Sequence, residues 1–428
     1  MFRPLLISTL LTSTALADTW TVDDDGKADF DNIQAAVDTA SDGDEIVVMP
    51  GTYTSTQDGH VVNMLGKAVT LRSSDPTNPD IVAATIIDGE YTRRGLACFN
   101  EETSETIISG FSITNGYADG GGGMHNDSSS PTLENCTFEN NTANVGGGMW
   151  NDYNSSPTLK NCSFTGNTAY DGGGMYNYNS SPTLDGCTFT GNTADYSGGM
   201  HNFKSNSTLD NCTFTNNTAA YDGGGMLNMY SSVVLTNCIF TDNSVNIEHS
   251  YGGAIYNSDS SISLIDCVLR NNASKDGGAM RNDFTTTILD RCVVADNFAT
   301  EEGGGIYNGI DASTTLTNSV FKYNTANYGG GLYNYIINND NMAIVDTTFC
   351  GNTPDQIIGD WTDNGGNTIE DECPDCPDIN SDGYVNVTDL LVVIDQWGST
   401  DSPADVTQDG IVDVSDILLV ISNWGPCE

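Results

Sequence analysis

Two stretches near the C-terminal end place oxygen ligands at the spacing a hard cation needs. Asp378-Ile-Asn-Ser-Asp-Gly-Tyr-Val-Asn-Val-Thr-Asp389 returns 27 residues later as Asp405-Val-Thr-Gln-Asp-Gly-Ile-Val-Asp-Val-Ser-Asp416. A calcium loop takes side-chain oxygens at its first, third, fifth and twelfth positions and a backbone carbonyl at the seventh, with glycine making the sharp turn at the sixth. The first copy would coordinate through Asp378, Asn380, Asp382, the Tyr384 carbonyl and Asp389. The second would use Asp405, Thr407, Asp409, the Ile411 carbonyl and Asp416. A second candidate lies mid-chain, where Asp127 and Asp152 occupy equivalent places in neighbouring repeats, beside His125 and Trp150. Two carboxylates one repeat apart could hold calcium, share a proton or act on a glycosidic bond; they could equally be solvated surface charges.

What must position that pair is a repeat running from about residue 120 to 352. Its Gly-Gly-apolar-X-Asn step puts an apolar residue at Met124, Met149, Met175, Met200, Met226, Ile255, Met280, Ile306 and Leu332, at intervals of 25 or 26 with one of 29. Asn follows two places later every time, from Asn126 to Asn334. Cys136, Cys162, Cys187, Cys212, Cys238, Cys267 and Cys292 form a second series, and the Asn of Phe-x-x-Asn a third, from Asn141 to Asn352. A period in the twenties this rich in Gly, Asn, Ser and Thr suits a coil of short strands stacked turn on turn, not helix pairs. Met, Leu, Cys and Phe would stack inward, each Asn amide would bond the next, and the Gly pairs would make positive-φ corners. Nine coils at the strand spacing give a rod roughly 45 Å long. The prediction is a right-handed parallel β-helix with an N-terminal capping helix, followed by a small α-helical calcium-binding domain.

Strand alternation turns the residue between apolar and Asn outward. That row reads His125, Trp150, Tyr176, His201, Leu227, Tyr256, Arg281, Tyr307 and Tyr333. His125, Trp150, Tyr176, His201, Tyr256, Tyr307 and Tyr333 are candidates to stack on sugar rings along a flat face; the same rings could simply stabilise one another. Lys204 and Arg281 are the basic side chains near this face, about two and five coils from Asp152.

The chain has 428 residues and a formal charge of −45, from 13 basic and 58 acidic residues. That excludes nucleic acid, which needs clustered Lys and Arg, and excludes direct docking on polyanions without bridging cations. Residues 1–17 read as a secretory signal: Arg3, an apolar run from Leu5 to Leu11, and Ala15-Leu16-Ala17 at the cleavage site. No other segment is long and apolar enough to span a bilayer, so an extracellular or cell-surface location is expected.

Residues 18–372 are expected to form the β-helix. Ile33, Ala36, Val37 and Ala40 have helical spacing with Asp31 as the expected N-cap, and Glu45 to Met49 read as a buried strand. With Trp20-Thr21-Val22, Ile33-Gln34-Ala35-Ala36 and Pro50-Gly51-Thr52-Tyr53, this region resembles the pectate-lyase-like right-handed parallel β-helix superfamily. The coils are also similar to repeats of chlamydial polymorphic outer-membrane proteins, through Gly252-Gly-Ala-Ile255 and Phe-x-x-Asn. The first resemblance implies a lyase or glycosidase acting on extracellular polysaccharide. The second implies a non-catalytic adhesin or structural surface protein. The Gly-His-Gly and Asn-Thr-Asp signatures of polygalacturonases, and the Leu-Gly-Arg-Pro-Trp of pectin esterases, do not occur.

Residues 373–428, with Asp at the twelfth loop position and one helix after each loop, resemble a type I dockerin. That implies a calcium-folded module that binds a cohesin-like scaffold protein, with Thr407 weakening the second site. Leu390, Leu391, Val393 and Ile394 are expected to bury one helix against Ile417, Leu418, Val420 and Ile421 of the other. A disulfide between Cys376 and Cys427 is expected to clasp the module's ends. Cys373 has Cys350 or Cys98 as partner, and the seven-residue Cys ladder reads as a stack of buried thiols.

Overall fold

The computed structural model describes residues 17–55, 59–246, 250–335, 342–373, 377, 379–380, 384–400, 402–407, 410–422 and 425–426. The chain divides into two compact units, residues 1–371 and 372–428. The signal-like segment before residue 17 lies outside the described residues, as do Cys376, Asp378, Asp382, Asp409 and Cys427.

The first unit is a parallel β-solenoid with sheets of 14, 13, 12 and 8 strands. Each repeat contributes one short strand to each sheet, and equivalent residues pair in register, as Met124 with Met149, Leu133 with Leu159 and Phe138 with Phe164. We name the sheets by the residue each turns inward: Met, Leu and Phe sheets, and a shorter Ala sheet carrying Ala143, Ala169 and Ala194. The inward residues of the Met, Leu and Phe sheets, with the Cys column, form one continuous core. The stack outruns the repeat at both ends, the Leu sheet starting at Thr19–Val22 and closing at Thr362–Asp363. Residues 353–371 therefore add another coil, through Ile357–Ile358 and Thr368–Glu370, beyond the regular repeat that ends at about residue 352.

Two Asn columns run through the interior. Asn126, Asn151, Asn177 and Asn202 each donate from Nδ2 to the Oδ1 of the next, at 2.8–2.9 Å. Asn141 and Asn167 each donate both Nδ2 and backbone N–H to the next Asn Oδ1. Beside them Phe138, Phe164, Phe189, Phe214 and Phe240 stack at 4.5–4.8 Å with their planes within 5°. Parallel strands repeat at about this distance, so identical side chains meet face to face at no cost in register.

The glycines divide the work differently from the expectation. The positive φ falls on the residue before the pair, at Gly146 and Gly172, and Ser197 takes that conformation in one coil. The pair itself is small because backbone stacks on backbone there: a Cβ on Gly173 would lie 2.5 Å from the Gly198 carbonyl oxygen and 2.7 Å from that of Thr193. Helix Ile33–Thr39 buries Ile33, Ala36 and Val37, as expected, but its N-cap is Asn32, whose Oδ1 accepts from the Ala35 N–H. Asp31 instead accepts from the Asn32 side chain.

The second unit has helices Val387–Asp395 and Val414–Ser422 around a small core of Val385, Val393, Ala404, Val412 and Val420. Two short strands, Tyr384–Val385 and Gly425–Pro426, pair antiparallel. The expected helix interface holds for Val393 and Val420, whereas Leu391, Ile394, Leu418 and Ile421 are half or more exposed. A nine-residue helix has one face to bury, and these four project from the other. Among the described residues no helix is long and apolar enough to cross a membrane.

Candidate functional site

The outward row of the Met sheet does not lie on a flat face. The Ala sheet turns into the Met sheet at the glycine corner, and the position four places before the apolar residue meets the outward row of its own coil, as Asp276 meets Arg281, or of the following one. Gly120 thus faces the Trp150 ring, and Asp171 lies 3.3 Å from His201 Nδ1. His125, His201, Leu227 and Tyr307 are buried in this corner, outside the central core, and Trp150, Tyr176, Tyr256 and Tyr333 are part-buried. The expectation of an exposed flat row is corrected: alternation gave the direction of each side chain, but the neighbouring sheet covers it.

At the N-terminal end of the corner the aromatics partly satisfy one another. His125 stacks on Trp150 at 4.1 Å and meets Phe99 edge-on at 5.0 Å. Burial, with the nearby Arg94 charge, brings His125 down to about 3, so this stack is between neutral rings. Tyr176 meets His201 edge-on, and Tyr307 stacks on Tyr333. Trp150 Nε1, His125 Nε2 and both nitrogens of His201 are buried without a hydrogen-bond partner. The His201–Asp171 approach is close enough for an ion pair but misaligned for a hydrogen bond, so we read His201 as unsatisfied. Buried polar atoms are usually paired, and four without hydrogen-bond partners on three residues within four coils mark the corner as unusual.

Asp127 and Asp152 are register partners on adjacent strands. Asp127 is half-buried, its Oδ1 accepting from the Ser128 hydroxyl; Asp152 is buried, its Oδ1 accepting from the Tyr153 N–H. Burial pushes the Asp152 carboxyl up, the Tyr153 bond pulls it back, and the Asp127 charge raises it again.

A second charged cluster, which strand alternation does not reveal, lies farther along. The Arg281 guanidinium donates to Asp276 Oδ2 at 3.1 Å and Asp283 Oδ2 at 2.8 Å, between the Tyr251 and Tyr307 rings at 3.7 and 4.5 Å. The Tyr256 hydroxyl donates to Asp283 at 3.1 Å. Burial would lower the Arg281 pKa, but the Asp283 carboxylate outweighs it and holds the guanidinium charged. Asp222 sits nearby, its carboxyl pushed up to about 6, chiefly by burial. A column signal for these residues was present in the repeat: Asp171, Asp222, Asp276 and Glu302 all stand four places before the apolar residue. They belong to the neighbouring sheet, so their convergence with the outward row is a tertiary fact.

In the second unit Asp389 and Asp416 are fully buried. Asp389 accepts from the N–H groups of Ile379, Asn380 and Asn386. Asp416 accepts from Thr407 N–H and hydroxyl and from Asp413 N–H. Burial raises the Asp416 carboxyl, and these hydrogen bonds bring it below the usual range. Among the described residues neither carboxylate has a basic partner, and Asp405, whose Oδ2 accepts from Gly410 N–H, joins the second loop. Buried carboxylates on loops of oxygen donors fit a hard cation. No three His, Cys, Asp or Glu side chains converge as a metal site among the described residues, which leave out Asp378, Asp382 and Asp409. Of the other first-loop ligands, Asn380 donates to the Thr388 hydroxyl and Tyr384 stands in the short strand.

Cys98 and the seven ladder cysteines are buried free thiols. Cys350 and Cys373 are both disulfide-bonded, which removes Cys98 as a partner for Cys373.

Comparison with known proteins adds family and fold. A family described as "Right handed beta helix region" matches residues 60–202 and 171–274, and the "Dockerin type I domain" matches residues 377–424. No curated protein matches. Among solved structures the chain is similar to pectate lyase Pel9A, at 14% identity and TM-score 0.38, covering 93% of this chain and 89% of that one. It is also similar to a mannuronic acid-specific polysaccharide family 6 lyase from human gut microbiota, at 9% identity and TM-score 0.42, covering 81% and 91%. A rhamnogalacturonan lyase aligns at 11% identity and TM-score 0.33, covering 77% and 87%. These likenesses transfer no residue and no activity. On the matched residues and the observed solenoid, the chain belongs to the right-handed β-helix family and carries a C-terminal type I dockerin domain.

Proposed function

We propose that this protein is exported, binds or degrades extracellular polysaccharide along the sheet corner, and is held on a cohesin-bearing scaffold or surface by its dockerin. One observation carries the reading: a row of aromatic rings and carboxylates runs along successive coils in the same chain as a dockerin domain. Sugar rings offer apolar C–H faces to aromatics and hydroxyls to polar groups, and a linear glycan suits a linear array. Calcium is the cofactor we assign to the two dockerin loops, with the Cys376–Cys427 disulfide closing the module's ends.

If the corner is catalytic, Asp127 and Asp152 are the pair we assign. They are register partners one strand spacing apart, about 5 Å at the backbone. Asp152, whose burial favours its protonated form, would donate to the leaving oxygen, with Asp127 as the second carboxyl of the pair. The test is a polysaccharide screen with calcium present, following new reducing ends and unsaturated products. Asp152→Asn should lower any turnover by about 100-fold or more. Turnover unchanged in both Asp152→Asn and Asp127→Ala would remove this assignment.

The rival reading, a non-catalytic adhesin, drew on Phe-x-x-Asn and Gly-Gly-Ala-Ile. Those residues are buried or packed backbone to backbone, so they account for coil stacking and favour neither function.

A further inference from the structure

Resting on the polysaccharide reading, we propose that the sheet corner takes a glycan free of anionic groups and rejects polyuronates. The argument is one of charge. Asp152, Asp171, Asp222, Asp276, Asp283 and Glu302 all line the corner, against two guanidiniums, Arg281 and, at the N-terminal end, Arg94. Arg281 is committed to two carboxylates and enclosed by two tyrosine rings, so it has little capacity left for a ligand carboxylate.

The neighbouring cations are also engaged. Arg94 donates to the carbonyls of Gly120 and Gly121. Lys275 pairs with Glu301, at 3.4 Å. Lys204 lies over the Phe203 ring on the outer row. A polyuronate laid here would set its carboxylates against the corner's own at contact distance, inside the Debye length of about 8 Å at physiological salt. An uncharged sugar meets no such barrier.

An independent observation points to a hydroxyl-bearing ligand. His201 is 95% buried and neither ring nitrogen has a hydrogen-bond partner, although Nδ1 lies 3.3 Å from Asp171, and Trp150 Nε1 in the same corner likewise has none. Sugar hydroxyls both donate and accept, so they can satisfy a ring nitrogen in either role, and an indole N–H besides. The rings supply the stacking surface and the unpaired atoms supply the polar contacts.

The experiment is affinity electrophoresis of the full chain, with chelator present so that no divalent cation bridges carboxylates, through gels containing galactomannan, glucomannan, xylan, polygalacturonate or alginate. We expect retardation by at least one of the first three, little altered by salt, and none by the polyuronates. Trp150→Ala should weaken that retardation at least tenfold; Trp150→Phe, which keeps a ring, should weaken it less, with thermal midpoints checking that both variants fold. The double variant Asp171→Asn, Asp222→Asn should gain measurable retardation by a polyuronate. Polyuronate binding by the wild type, or no gain in the double variant, overturns the charge argument while leaving the polysaccharide reading in place. No retardation by any glycan overturns that reading and this inference together.

Discussion

Asp222 illustrates what a single residue does in the corner. Burial pushes its carboxyl up to about 6, while the Tyr251 backbone and Arg281 pull the other way and Asp283 adds to the rise. An acid whose folded pKa lies above its unfolded value costs nothing while both states are protonated. The cost grows as pH rises between the two values, and is constant above both. For this shift the penalty is about 2–3 kcal/mol, developing between about pH 4 and pH 6. Asp222→Asn should therefore match the wild type in urea unfolding near pH 4 and be more stable by about 2–3 kcal/mol at pH 7.5. An equal difference at both pH values would mean that burial of the carboxyl is not the cause. Arg281 shows the opposite economy: its charge survives burial because Asp276 and Asp283 meet it.

At the scale of elements, the coil is held by columns of identical side chains. Asn202 accepts from Asn177 Nδ2 and from the Ser207 hydroxyl and donates to Asn228 Oδ1, all in the interior. Asn202→Ala would take the acceptor from two donors, the Asn177 amide and the Ser207 hydroxyl, and the donor from Asn228 Oδ1, and a buried group left unpaired costs about 1–3 kcal/mol. A loss of about 3 kcal/mol in the rod's unfolding free energy is the expected outcome; a loss below 1 kcal/mol would mean that water or a shifted neighbour replaces the amide. The columns were plain in the repeat because each demands one residue type at one phase. The division of labour among the glycines was not, since it depends on backbone from one coil touching backbone of the next.

Across the whole molecule, each of the two units has its own hydrophobic core, and among the described residues the smaller core holds five fully buried apolar residues. With so little buried surface, the calcium proposed for its loops would be coupled to its folding. Removing calcium with a chelator should abolish the helical signal of residues 387–395 and 414–422 and leave the thermal transition of the rod unchanged. Persistence of that helical signal in the chelated protein would contradict calcium-coupled folding.

The sequence by itself determined the solenoid, the direction of every side chain in a coil and the identity of the stacked columns. It could do so because each follows from a local period of two within strands and a repeat of 25 or 26 between them. It also brought out the two loops, whose oxygen-bearing residues lie within twelve consecutive positions. Only the tertiary structure decided that His125, His201 and Tyr307 are buried and that the acidic column of one sheet faces the aromatic row of another. It likewise decided which side of each dockerin helix is covered. These depend on the angle at which sheets and helices meet, and no periodicity along one chain encodes the angle between two surfaces.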